Sequence, residues 1–224
     1  TAALVRVVAG DPVIAAIGVP YESLSIAANL DHNIRIRQLP GGDTLRTFRG
    51  HNTSTHSAVA FSPDGRYVLS GGTEESTRLW DRQTAQPIRE FLGSPAGTMA
   101  AAFSSDGSRV LTTAGPPHPA VRLWNTETGE LEREFKWTKT WPSSAVFSHD
   151  GTKIAARSQA EGVTLFDVAT GTVLKTIPNP AYASAIALSP SAPLLAMAST
   201  EYTADLYNRE SGQKLHTFDA NAGP

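Results

Sequence analysis

The sequence has no cysteine, which excludes disulfides, thiolate metal sites and a cysteine nucleophile while leaving the redox compartment open. It has no uninterrupted apolar run near the ~20 residues that a membrane-spanning helix needs. An excess of one charge is missing too, since 19 Lys and Arg stand against 21 Asp and Glu. That balance argues against a surface built to neutralise a nucleic-acid backbone, so no nucleic acid and no membrane is expected as a partner. The six His residues, His32, His51, His56, His118, His149 and His216, show no ligand spacing on a shared element, and no metal is expected. The Asp-Gly turns lack the alternating Asp or Asn series of a calcium cage. Gly-rich phosphate loops and a Gly-x-Ser-x-Gly elbow are likewise absent. The expectation is therefore no cofactor, no catalytic residue and no enzyme. The chain begins at Thr1, so the lack of a targeting segment carries little information; the cytoplasm is the expected compartment.

What the sequence does contain is a repeat. Five sixteen-residue blocks align without a gap, starting at Asn33, Ser76, Ala120, Gly162 and Thr203. Upstream of each lies a second block, starting at Ala16, Ala58, Ala100, Ser144 and Ala185. Within each block two short apolar stretches flank turn residues, the pattern of a hairpin rather than a 3.6-residue period. Asp64-Gly65, Asp106-Gly107 and Asp150-Gly151 supply the first turn, where Asp bonds nearby backbone and Gly accepts positive φ. Gly42, Gly129, Gly171 and Gly212 supply the second, with Ala85 the exception. Two hairpins make four antiparallel strands, and such a unit repeated every ~40–45 residues is a propeller blade.

At this point the residues resemble a known family. Phe61-Ser62-Pro63-Asp64-Gly65, Arg78-Leu79-Trp80-Asp81 and the leading pair Gly50-His51 are similar to the WD-repeat pattern, and the resemblance covers nearly the whole chain. It implies an all-β β-propeller of four-stranded antiparallel blades, with residues 1–224 as one propeller region. The repeats are placed at approximately 13–50, 56–93, 98–136, 142–178 and 183–219. Residues 1–12 are read as an orphan outer strand and linker, with Leu4 to Val8 as the strand. Five repeats with an orphan strand suggest part of a larger ring, which the resemblance puts at about seven blades, associating with further blades or domains of the same protein; the alternative is a five-bladed ring with a frayed N-terminus. The excess of Arg over Lys points to a bacterial source.

The Trp-Asp pair drifts to Arg37-Gln38, Trp124-Asn125, Phe166-Asp167 and Tyr207-Asn208. The resemblance also implies a buried hydrogen-bond relay, which in repeat two is His51, Ser70, Glu74 and Trp80. Repeat one has Asp31 but Ala28 and Arg37, repeat three has Thr112 and His118 around Trp124, and repeats four and five have Ala156 and Met197. Where both polar partners are lost together, an apolar replacement is nearly neutral, because no buried group is left unsatisfied.

Candidate partner-binding residues lie in the loops that a propeller gathers onto one face. Lys136, Trp137, Lys139 and Trp141 set aromatic anchors among cations, as interfaces do; the alternative is that one Trp caps the core and the other packs on a loop. Gly115 to Pro119, containing His118, is stiffened by its prolines. Glu74, Glu75, Glu201 and Tyr202 occupy corresponding turns of repeats two and five, where plain solvation is the competing reading. The function expected is a non-catalytic scaffold or sensor module of a larger multidomain protein, with a protein or peptide as partner. Two others stand beside it: a propeller that gates or forms a hydrolase-type enzyme, favoured by the pattern of Phe147 to Ala155, and a purely architectural segment.

Overall fold

The computed structural model describes residues 14–19, 22–28, 32–38, 41–51, 58–72, 76–92, 97–137, 140–158, 160–178, 183–199 and 202–219. The orphan strand expected near Leu4 lies outside them. The described chain forms five sheets, each an antiparallel meander of four strands. The first holds β1 (Ile14–Val19), β2 (Glu22–Ala28), β3 (Ile34–Gln38) and β4 (Thr44–Phe48). The second holds β5 (Ala58–Phe61), β6 (Tyr67–Gly71), β7 (Ser76–Asp81) and β8 (Pro87–Leu92), and the third β9 (Thr98–Phe103), β10 (Arg109–Ala114), β11 (Ala120–Asn125) and β12 (Leu131–Lys136). The fourth is β13 (Pro142–Phe147), β14 (Lys153–Ser158), β15 (Gly162–Asp167) and β16 (Val173–Ile177); the fifth is β17 (Ala183–Leu188), β18 (Leu194–Ser199), β19 (Thr203–Asn208) and β20 (Lys214–Asp219). First strands of successive sheets are neighbours, β1 to β5, β5 to β9, β9 to β13 and β13 to β17. The sheets are thus the blades of a propeller.

The core lies between blades. Four apolar clusters form, one at each junction. Each is centred on an outer-strand residue of one blade and the strand-three aromatic of the next. Phe48 meets Trp80 with ring centroids 5.9 Å apart, Phe91 meets Trp124 at 5.8 Å, and Phe135 meets Phe166 at 5.2 Å. Ile177 and Tyr207 share the fourth cluster. The fifth equivalent, Phe218, is 55% exposed, because no described sheet covers β20.

A second contact repeats at the junctions. Arg46 Nε donates to the Gln83 carbonyl (3.0 Å), Arg89 Nη1 to that of Thr128 (2.6 Å), and Arg133 Nη2 to that of Ala169 (2.7 Å). Each outer strand therefore holds the next blade's last turn by backbone acceptors that any residue offers. At Gly129 and Gly171 an added Cβ would stand 2.6 Å from Arg89 Cδ and 2.9 Å from Arg133 Nη1. Both glycines have positive φ. There glycine serves the turn and gives the guanidinium room to cross it.

The turns explain the drift of the pair's second member. Asp81 Oδ1 accepts from the Gln83 and Thr84 amides, and Asn125 Oδ1 does the same for Glu127 and Thr128. Asp167 and Asn208 repeat the arrangement. The position needs one acceptor oxygen, which an amide supplies as well as a carboxylate. Asp-to-Asn drift therefore keeps the turn's acceptor and removes only a charge, one that the amide bonds favour at Asp81 and Asp167.

Register corrects one assignment. Ser70 pairs across the sheet with Arg78, and the counterpart of Arg78 in repeat one, Arg35, pairs with Ala27 rather than Ala28. Two residues separate β1 from β2 where five separate β5 from β6, so a gap-free alignment runs out of step there.

The first-hairpin turns carry a pH signature. Ser104 Oγ donates to Asp106 Oδ1 at 2.6 Å and Ser148 Oγ to Asp150 Oδ1 at 2.5 Å. These bonds, with backbone amides of Ser108 and Thr152, hold both carboxyls down from the ordinary 3.8 to about 2. A carboxyl depressed in the folded state stabilises it above the ordinary value and ceases to as pH falls through the folded value. Urea midpoints are therefore expected to stay level above about pH 4 and drop between about pH 4 and pH 2. The paired change Asp106→Asn and Asp150→Asn should flatten that drop; an unchanged slope would show that these turns contribute nothing to it.

Candidate functional site

Two faces result from the meander. One gathers the first and last turns of each blade. The other gathers the middle loops and the links between blades, including Gly115–Pro119, Trp137 and Trp141. Both carry clefts, but only the second brings candidate residues together.

Three of the four relay residues of repeat two meet. His51 Nε2 and Ser70 Oγ are 2.7 Å apart, and Trp80 Nε1 donates to Ser70 Oγ at 2.7 Å. All three are buried, with the His51 ring 5.8 Å from that of Trp80. Glu74 lies outside the described residues. In repeat three Trp124 Nε1 donates to Thr112 Oγ1 at 2.9 Å, so half of the relay survives. His118 does not join it, because the Gly115–Pro119 loop carries that ring to the surface. In repeat four Ala156 and Phe166 are both buried, with no polar group between them to satisfy. In repeat five Tyr207 donates to Asp205 Oδ2 at 3.4 Å, and Asp205 is also bonded by Thr217 and Lys214, each at 2.7 Å. Burial, then the Asp205 charge, pushes the Tyr207 phenol up; bonds from Lys214 and Thr217 hold the Asp205 carboxyl down despite its desolvation.

The loop candidates separate. Trp137 is a core residue, 7% exposed, its ring 5.7 Å from that of Phe166, and its amide donates to the Pro119 carbonyl. It caps the next blade in the place that His51 takes over Trp80. Trp141, four residues on, is 42% exposed. Lys136 and His118 are exposed, and with Trp137 they line one cavity of about 390 Å³, together with Pro117, Pro119, Arg122 and Glu134. Tyr202 is 72% exposed at positive φ. Lys139, Glu74, Glu75 and Glu201 lie outside the described residues.

The cavity's buried cation escaped the sequence reading. Arg122 Nε pairs with Glu134 Oε2 at 2.8 Å. The same cross-strand position holds Arg78 with Glu90 in repeat two and Thr164 with Thr176 in repeat four. In these three blades the partners change together, a signal legible only once strand register pairs those columns; repeat one keeps the Arg but sets Arg35 opposite Thr47.

The family profile described as WD domain, G-beta repeat matches residues 42–81, which include the relay residues His51, Ser70 and Trp80. That stretch is a WD repeat. A WD repeat-containing protein of Synechocystis is 35% identical over 100 residues, 44% of this chain and 28% of its own length. The nuclear distribution protein PAC1 of Arthroderma otae is 37% identical over 65 residues, 29% of this chain and 14% of its own. Autophagy-related protein 16 of Arabidopsis thaliana is 32% identical over 88 residues, 39% of this chain and 17% of its own. The WD-repeat chain thus matches under a third of the length of each of these relatives. Among the described residues no three His, Asp or Glu side chains gather as a metal site would require, and no helix is long and apolar enough to cross a membrane.

Proposed function

We propose that this WD-repeat chain is a non-catalytic scaffold or sensor module of a larger multidomain bacterial protein, within a ring of about seven blades, and that it holds a protein or peptide on its loop face. WD repeats serve protein–protein contact, and the relatives with named roles include one described as a subunit of the THO complex. The observation that carries the reading is Trp141. A large aromatic stands exposed four residues from a buried one that lines the cavity with Lys136 and His118. An exposed aromatic is the kind of anchor that concentrates binding energy in an interface.

Trp141→Ala in the full-length protein is expected to release cross-linked partners while changing folding stability by less than about 0.5 kcal/mol, as for a surface side chain. Quantitative pull-down with urea denaturation in parallel checks both. Retained partners with unchanged stability would leave the architectural reading in its place.

A further inference from the structure

We infer that the cavity at the edge of the third blade binds a carboxylate, the side chain of an acidic residue on a protein partner. The inference rests on the scaffold reading and names the chemistry that its loop face selects. Three observations converge on one cavity. The first is charge. Arg122 is neutralised by Glu134, whereas Lys136 on the same lining has no acidic partner among the described residues, which leaves the lining net positive.

The second is unmet donors. Arg122 Nη1 and Trp137 Nε1 are both buried without a hydrogen-bond partner, and each belongs to a side chain about 7% exposed. A buried donor left unpaired is costly, so such groups normally have an acceptor. The third is a comparison within the chain. Arg78 occupies in repeat two the place of Arg122, and its Nη1 donates to the Gly50 carbonyl. An oxygen acceptor is thus what this guanidinium takes where the chain provides one. In repeat three the corresponding nitrogen has no acceptor, and Arg122 lines the cavity.

Pro117, Pro119 and the Trp137 ring form apolar walls that lower the local dielectric and strengthen any charge held between them. Lys136 and His118 at the rim would meet the carboxylate first. A small adjustment of the Arg122 and Trp137 side chains would then present their free N–H groups to it, since both atoms are nearly inaccessible as they stand. The arrangement selects a flat oxyanion at the end of a slim side chain, as Glu or Asp offers.

The test uses capped octapeptides containing two glutamates and their glutamine counterparts, titrated into the full chain at low salt. The readout is the Trp137 indole N–H resonance, assigned with Trp137→Phe. The glutamate peptide should move that resonance and bind at least tenfold more tightly than the glutamine peptide. The surface pair His118→Ala and Lys136→Ala should weaken it about tenfold, and Arg122→Gln with Glu134→Gln should abolish the response without leaving a lone charge. Equal binding of both peptides, a silent Trp137, or tighter binding of inorganic phosphate at the same resonance would each overturn the carboxylate assignment. If the peptides fail while Trp141→Ala still releases partners, the cavity assignment falls and the scaffold stands. If the peptides bind while Trp141→Ala releases nothing, the reverse holds.

Discussion

Ser70→Ala is expected to cost about 2–6 kcal/mol of folding stability, because one hydroxyl serves two buried rings and its loss strands both at roughly 1–3 kcal/mol each. Ser70 Oγ is 2.7 Å from His51 Nε2 and from Trp80 Nε1, and all three side chains are buried. Thr112→Val in repeat three should cost about half as much, since only the Trp124 N–H loses its acceptor and the volume is kept. Urea unfolding of the two variants measures the difference. Repeat four supplies the control: Ala156 with Phe166 has no polar group at the relay and remains buried at 0% and 4%. Equal losses for the two variants would show that the His51 bond contributes nothing.

The second large effect separates two tryptophans that the sequence sets side by side. Trp137→Ala should destabilise by about 3–5 kcal/mol, the range for a large buried aromatic whose site cannot collapse. Its ring packs on Phe166 within a cluster that also holds Phe135, Leu123 and Ile154. Trp141→Ala should leave stability nearly unchanged. Thermal denaturation decides between them, and a small effect at position 137 would mean that the ring covers the blade without bearing on its packing.

Much of the architecture was legible before any coordinates. A residue such as Gly129 or Asp106 announces a turn through its own backbone chemistry, and a recurring order of such turns fixes two hairpins per repeat. The register of the first blade was not legible, because two residues separate β1 from β2 where five separate β5 from β6, which puts the gap-free blocks out of step. The place of His118 was not legible either. Its position between prolines gives no direction, and the loop turns it outward to the cavity rather than inward to Trp124.

The sequence by itself determined a WD-repeat, all-β chain with four strands per repeat, and it marked repeat two as the most complete relay. It did so because local turn geometry and two-residue alternation depend only on neighbours along the chain. Only the tertiary structure decided which tryptophan is core and which is surface, that Arg122 Nη1 is buried without an acceptor, and that Thr112 rather than His118 answers Trp124. Those outcomes depend on what the adjacent blade and loop present across a junction, and residues some 40 apart in sequence meet there only after the blades have stacked.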